Sequence, residues 1–187
     1  MWPMVRATFH GSAQSSDMQT MSSGGSPEEN VIFTLRDFVK ESNRIEGIPC
    51  VRMGEVRAHK QFLASKATLN DLLALLWVLQ PNAVLRDRVG LNVYIGNHIP
   101  QGGPPQGGPD IRSGLEALLA TVIFTPYLQG PPYERHLAFE ALHPFTDGNG
   151  RTGRALWLHD MGGMEFAPLG FLHHWYYQSL QRGRVTP

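Results

Sequence analysis

Twelve consecutive residues hold most of the chemistry this chain can offer: His143-Pro144-Phe145-Thr146-Asp147-Gly148-Asn149-Gly150-Arg151-Thr152-Gly153-Arg154. Pro144 terminates the preceding helix, and Gly148-Asn149-Gly150 admits a tight turn with positive φ. Successive backbone N–H groups in such a turn make a concave nest for an anion, at the N-terminus of the helix that follows. Arg151 and Arg154 stand three apart, so they share one helix face and can reach the same anion. Glycines, helix dipole and two guanidiniums together form a cradle for a polyphosphate. Asp147 is out of place beside phosphate oxygens unless a cation lies between them. Mg²⁺ resolves this, because it is commonly held by one or two carboxylates plus substrate phosphates. His143 sits on the loop's other shoulder. An imidazole titrating near ~6.5 suits it to take a proton from an attacking hydroxyl. Clamp, metal carboxylate and base are the parts that phosphoryl-type transfer needs.

The flanking elements must position that loop. Residues 1–27 are rich in Ser, Gly, Met and Gln without a hydrophobic period and read as a mobile tail. Ser26-Pro27-Glu28-Glu29 reads as a helix start, with Ser26 as N-cap, Pro27 in the first turn and Glu29 closing a capping box. Ile32, Leu35, Val39, Ser42 and Glu46 then recur at steps of three and four, and Gly47 fits the C′ stop, so a helix is expected over about 28–47. Further helices are expected over about 54–65, 69–79 (ended by Pro81), 110–124, 132–142, 151–161 and 169–181. Leu91–Ile95 favours extended structure and Gly96-Asn97 a turn, which together predict a small hairpin. Gln-Gly-Gly-Pro, repeated from Gln101 and from Gln106, reads as an exposed loop. Seven helices and one hairpin predict an all-α fold, a single domain over 28–187. Trp77, Trp157, Trp175, Tyr176 and Tyr177 fall at helical spacing and are expected in the core. His136 with Glu140, and His173-His174, lack converging ligands and read as surface or packing residues.

Composition narrows the function classes. With 187 residues, 42% hydrophobic and 17% charged, the chain has room for one domain with a buried core. Sixteen basic residues balance sixteen acidic ones, which argues against a general polyanion binder and so against a nucleic-acid partner. Cys50 is the only cysteine, which excludes an internal disulfide and a multi-cysteine zinc site. No window approaches ~18 apolar residues, so no spanning helix or membrane partner is expected. The N-terminus carries Arg6 but no apolar stretch of signal-peptide type, and the expectation is a reduced, cytoplasmic protein.

The loop also resembles a known family. His143 to Arg154 matches in full the Fic motif His-Pro-Phe-x-(Asp/Glu)-Gly-Asn-Gly-Arg-x-x-Arg. Val93-Tyr94-Ile95-Gly96 resembles that family's flap, a hairpin that docks a target segment and covers the nucleotide, and Tyr176–Leu180 resembles its last core helix. Family members with this motif transfer AMP from ATP to a hydroxyl on a target protein. The resemblance implies that His143 is the base on the target hydroxyl and that Asp147 holds Mg²⁺. It further implies that Gly148, Asn149 and Gly150 line the anion hole, that Arg151 contacts the phosphates, and that Arg154 holds the γ-phosphate. The relatives named Doc carry lysine at the position of Gly150 and donate phosphate instead, so glycine here favours AMP transfer. The winged helix of larger relatives is not matched, and no DNA-binding appendage is expected.

A second stretch, Ser42-Asn43-Arg44-Ile45-Glu46-Gly47, matches the signature Ser/Thr-x-x-x-Glu-Gly/Asn of an inhibitory helix in the same family. Ser42 and Glu46 continue the apolar stripe, which turns the carboxylate inward. A buried carboxylate without a partner costs several kcal/mol, so a cation should meet it. The resemblance names Arg154 as that cation, and spacing alone does not select it. Because the signature precedes the motif, the chain resembles the subclass with an amino-terminal inhibitory helix. Some relatives of that subclass use the same glutamate to remove AMP, and the reverse activity stays open. The alternatives are a nucleotide-sensing interaction module without turnover and a Doc-like phosphotransferase. The target protein, the type of hydroxyl residue modified and any homo-oligomer are not specified by the sequence.

Overall fold

Thr34 holds an extended backbone (φ −98°, ψ 164°) and its hydroxyl accepts a hydrogen bond from the N–H of Asp37. The Asp37 carboxylate accepts in return from the Thr34 N–H at 2.9 Å. This reciprocal cap opens the first described helix, α1, Leu35–Ile45. The computed structural model describes residues 33–93, 103–121 and 131–171. The chain divides into two units, Met1–Val31 and Ile32–Pro187, and every described residue lies in the second. The expected tail, the helix start at Ser26, the flap residues Tyr94, Ile95 and Gly96, and Tyr176–Leu180 all lie outside the described residues.

The helix expected from about residue 28 thus has its start corrected to Leu35. The physical reason is the Thr34–Asp37 box, a second S/T-x-x-acid signature eight residues beyond the one at Ser26. At the other end Gly47 takes φ +73°, its N–H bonds the Arg44 carbonyl at 3.0 Å, and the Ile48 N–H bonds the Asn43 carbonyl at 2.9 Å. This pair of bonds is the Schellman motif, and it satisfies carbonyls that a helix end would otherwise leave open.

Five further α-helices follow: α2 Met53–Leu63, α3 Leu69–Leu79, α4 Pro109–Ala120, α5 Pro131–Leu142 and α6 Asn149–Met161. A 3-10 helix over Met164–Phe171 comes last. The expected boundaries of α3 hold at both ends, aided by a second capping box between Thr68 and Asp71. Two expected helices are corrected. The one expected to residue 124 ends at Ala120, where Thr121 turns extended (φ −66°, ψ 120°). Where a helix was expected from 169, residues 164–171 wind as 3-10, with Pro168 inside and unable to donate to an α-helical ladder. Among the described residues there is no strand; Leu91–Val93 are irregular, and a single antiparallel bridge joins Leu85 and Phe145. The architecture is all-α, as expected. No helix among the described residues is long and apolar enough to cross a membrane.

Helix α6 runs through the middle, against α1, α2, α3 and α5. Its Ala155 and Leu156 join Phe62, Leu72, Leu76, Ile111, Leu115, Phe139 and Phe145 in the larger core. On its other side Leu158 packs with Phe38 and Val39 of α1 and Ala167 of the 3-10 helix. Fully burying such a side chain is worth about 1.5–3 kcal/mol, so two such residues anchor α1 to α6. Trp77 is not core, contrary to expectation: it is 59% exposed. Leu72, Leu75, Leu76 and Leu79 fill the inward face of α3 and leave Trp77 on the outer one. Trp157 is half-buried against the α1 cluster.

Because a Cβ at Gly47 would meet nothing within 4 Å, Gly47→Ala tests backbone conformation alone. The left-handed φ should cost about 1 kcal/mol, seen as a lower denaturant midpoint with an unchanged slope. An unchanged midpoint would contradict the assignment of Gly47 as a required stop.

Candidate active site

The loop between α5 and α6 is held by backbone bonds before any functional group is placed. His143 has φ +48°, a left-handed backbone that costs a non-glycine residue about 1–3 kcal/mol unless its surroundings fix it. Here they do. The His143 N–H bonds the Phe139 carbonyl at 2.9 Å, and the fully buried Arg86 donates to the carbonyls of His143 (2.7 Å), Leu142 (2.9 Å) and Pro105 (2.9 Å). Burial lowers the Arg86 pKa, while the carbonyl end of α5 is where a cation is favoured. Arg86 N–H also bonds the Pro144 carbonyl at 2.9 Å, and Thr146 N–H the Val84 carbonyl at 3.0 Å. Burial pushes the His143 imidazole below its ordinary value, although the Glu140 carbonyl, Asp147 and Glu46 favour its charged form. Its buried Nδ1 has no hydrogen bond of ordinary geometry among the described residues.

Beyond Pro144 the chain turns at Gly148, with φ +77°. A Cβ there would also lie 3.0 Å from Leu76 Cδ1 and 3.2 Å from Gln80 Cβ, so a side chain would crowd both neighbours as well. Asn149 is spent on the turn itself: its Oδ1 accepts from Phe145 N–H at 2.9 Å and its Nδ2 donates to the Phe145 carbonyl at 2.8 Å. What Asn149 can offer an anion is therefore its backbone N–H. No side chain caps α6, which leaves the first-turn donors for a ligand. Asp147 is exposed, its Oδ1 accepting from Gly148 N–H at 2.6 Å.

Both arginines of α6 are buried. Arg151 donates to Gln80 Oε1 at 2.8 Å and lies 3.9 Å from the Glu55 carboxylate, while its Nε has no partner among the described residues. Burial lowers its pKa, against the pull of Glu55, Glu46 and Asp147. Glu55 is itself buried. Burial raises its pKa, but bonds from the Arg52 backbone and guanidinium and the Asn43 amide outweigh that and leave it below the usual carboxylate value. Arg154 is 4% exposed; its guanidinium bonds to α1 and its Nη1 lies beside Gly150 of the turn. Its Nε donates to Ser42 Oγ at 2.9 Å, and its Nη2 donates to the Ser42 carbonyl at 2.9 Å and to Glu46 Oε1 at 2.7 Å.

Glu46 also lies directly against Gly150, where a Cβ would collide with its Oε1. The carboxylate is not buried as expected, its side chain being 39% exposed. It stands at the C-cap of α1, where one side remains open to solvent. The structure therefore gathers His143, Asp147, Gly148, Gly150, Arg151, Arg154, Ser42 and Glu46 around one loop. Tyr94, Ile95 and Gly96 fall outside the described residues. His136 is buried, its Nδ1 paired with the Gly153 carbonyl at 3.1 Å. No group of three or more potential metal-ligating His, Cys, Asp or Glu residues occurs among the described residues.

Four contributors escaped sequence reasoning: Arg86, Gln80, Glu55 and Asn43. Only Gln80 had a local signal, a polar residue at the end of an apolar helix, and that signal is common. The family model described as Fic/DOC family matches residues 133–159, from α5 through the loop into α6. That match supports membership of this family. No curated protein and no solved structure matches the chain.

Burial lowers His136 from 6.5 to about 4. Between those values the unfolded chain binds the proton that the folded chain refuses, so stability should rise with pH across this window. Urea unfolding of the wild type should show the slope, and His136→Gln should reduce it, leaving the share of His59 and His143, which burial also lowers. An identical slope in both would remove His136 as its source.

Proposed function

We propose that this chain is an autoinhibited protein adenylyltransferase of the Fic type. It would transfer AMP from ATP to a serine, threonine or tyrosine hydroxyl of a target protein and release pyrophosphate. The observation that carries this is the triple claim of Ser42 and Glu46 on Arg154. It couples an α1 carboxylate to a guanidinium one turn beyond an uncapped glycine turn.

His143 is kept neutral at neutral pH by burial, which is the form a general base needs. Its other ring nitrogen, Nε2, takes the proton as the target oxygen bonds to the α-phosphorus and the bond to the β-phosphate oxygen breaks, while the buried Nδ1 faces away from the target. The turn at Gly148 presents the first-turn N–H groups of Asn149 and Gly150, which with Arg151 would stabilise charge on the phosphates. Asp147 suits Mg²⁺: it is an exposed, hard oxygen donor, and each of its oxygens keeps acceptor capacity after one hydrogen bond. When bound, the ion would neutralise phosphate charge and orient the leaving pyrophosphate. With Glu46 on Arg154, the guanidinium proposed for the γ-phosphate is already occupied. Glycine at 150, where the phosphate-donating relatives carry lysine, favours AMP over phosphate transfer.

Intact mass after incubation with ATP and Mg²⁺ tests the proposal. Glu46→Gly should gain adenylate faster than wild type by on the order of tenfold or more, the scale of a typical coupling free energy. Adding His143→Ala should abolish the gain, and zero labelling in all three proteins would overturn the proposal. In Glu46→Gly the acid limb of kcat/KM should fall below the ordinary imidazole value of 6.5, because the neutral ring persists to lower pH. A limb above that value would contradict the role given to His143.

A further inference from the structure

Gln80, just past the end of α3, stands between Asp147 and Arg151. Its Nε2 donates to Asp147 Oδ2 at 2.5 Å, and its Oε1 accepts from Arg151 Nη2 at 2.8 Å. An ionised carboxylate only accepts and a guanidinium only donates, so one side chain can join them only if its tip does both. An amide meets that requirement, and the two partners fix which way round it lies. With Gly148 N–H on Oδ1 and Gln80 on Oδ2, both oxygens of Asp147 are held, so the plane of the carboxylate is set from two sides.

Gln80 is anchored in its own right. Its N–H bonds the Leu76 carbonyl at 2.6 Å and its carbonyl accepts from Ala83 N–H at 3.0 Å. Arg52 Nη2 donates to the Val78 carbonyl at 2.9 Å, tying this end of α3 to α2, and the same guanidinium holds Glu55 beside Arg151. The Gln80 stem lies against Gly148, which ties the bridge to the turn.

We propose that Gln80 is a positioning residue of the transfer site: its amide keeps Asp147 and Arg151 in register, so that the cation on one and the phosphates on the other belong to a single nucleotide. The proposal rests on the transferase reading and adds a residue outside the motif to it. A residue that only fills space would affect nucleotide binding equally with and without a cation, whereas this bridge acts most when both ends are engaged.

The test uses Glu46→Gly as parent and calorimetric binding of α,β-methylene-ATP, with and without Mg²⁺. Adding Gln80→Met, which keeps the length and removes both polar contacts, should weaken binding about tenfold in Mg²⁺, the loss expected for charge-assisted hydrogen bonds. Without Mg²⁺ the loss should be smaller, and the Tm should stay near the parent's because Gln80 is only half-buried. Gln80→Ala gives the same comparison should Gln80→Met fail to fold. Unchanged affinity in Mg²⁺, or equal losses with and without it, would overturn the proposal and leave the transferase reading standing. If the parent bound no nucleotide under either condition, the transferase reading would fall, and this proposal with it.

Discussion

Two guanidiniums placed inside the protein by one helix face are the constraint on which the rest of this site depends. A buried charge costs several kcal/mol unless it is met by an opposite charge or by well-placed acceptors. Arg154 is answered by Ser42 and Glu46 of α1, and Arg151 by Gln80 and, at longer range, Glu55. A polyphosphate arriving at the turn offers the same kind of charge to the same donors. In the proposed function, inhibitor and substrate therefore compete for one electrostatic vacancy, and no separate sensing machinery is needed. The placement also explains why the carboxylate rests on Gly150: the absence of a side chain there opens the space that either anion must enter.

The base is set by a different device. A histidine before proline cannot continue α5, and its left-handed backbone would drift unless something held it. Arg86 does so by donating to carbonyls on either side of the bend and to Pro105 in the neighbouring loop. The short pairing of Val84–Arg86 with Pro144–Thr146 locks the same segment from its backbone. The imidazole thus comes to the site from a rigid support, which matters because a misplacement of about 1 Å at a catalytic centre can cost ~100-fold in rate.

Local chemistry was legible in the sequence, and long-range pairing was not. The bounds of α3, Leu69 and Leu79, are legible because an apolar run that stops short of Pro81 speaks for itself. Gly47 announced its stop through its conformational freedom. The start of α1 was misplaced because two capping signatures, at Ser26 and at Thr34, lie in the same stretch and nothing local ranks them. Trp77 was misjudged because helical spacing counts apolar residues without saying which face meets a neighbour. Arg86 could not be found at all: a lone arginine in an irregular segment reads as solvated, and only the fold shows the carbonyls converging on it. The glycine turn and its two arginines were readable because anion binding at a helix N-terminus needs residues adjacent in sequence. Gln80, some seventy positions away, answers to the same site only through the packing of α3 on α6.

The latch on Arg154 is separable from what holds α1 in place. Phe38 and Val39 have no exposed surface and pack with Leu158, while Asn43 ties the helix to Glu55 at 3.0 Å and to the Cys50 carbonyl at 2.8 Å. Glu46 contributes none of this. It is the C-cap residue, open to solvent on one side, with the Schellman closure behind it carried by backbone groups alone. Freeing the guanidinium within the proposed mechanism thus requires one carboxylate to swing away, and the helix need not leave. Ser42 can keep its two bonds to Arg154 through that swing, so the arginine stays aimed at the turn while its remaining charge is given over to the incoming phosphate.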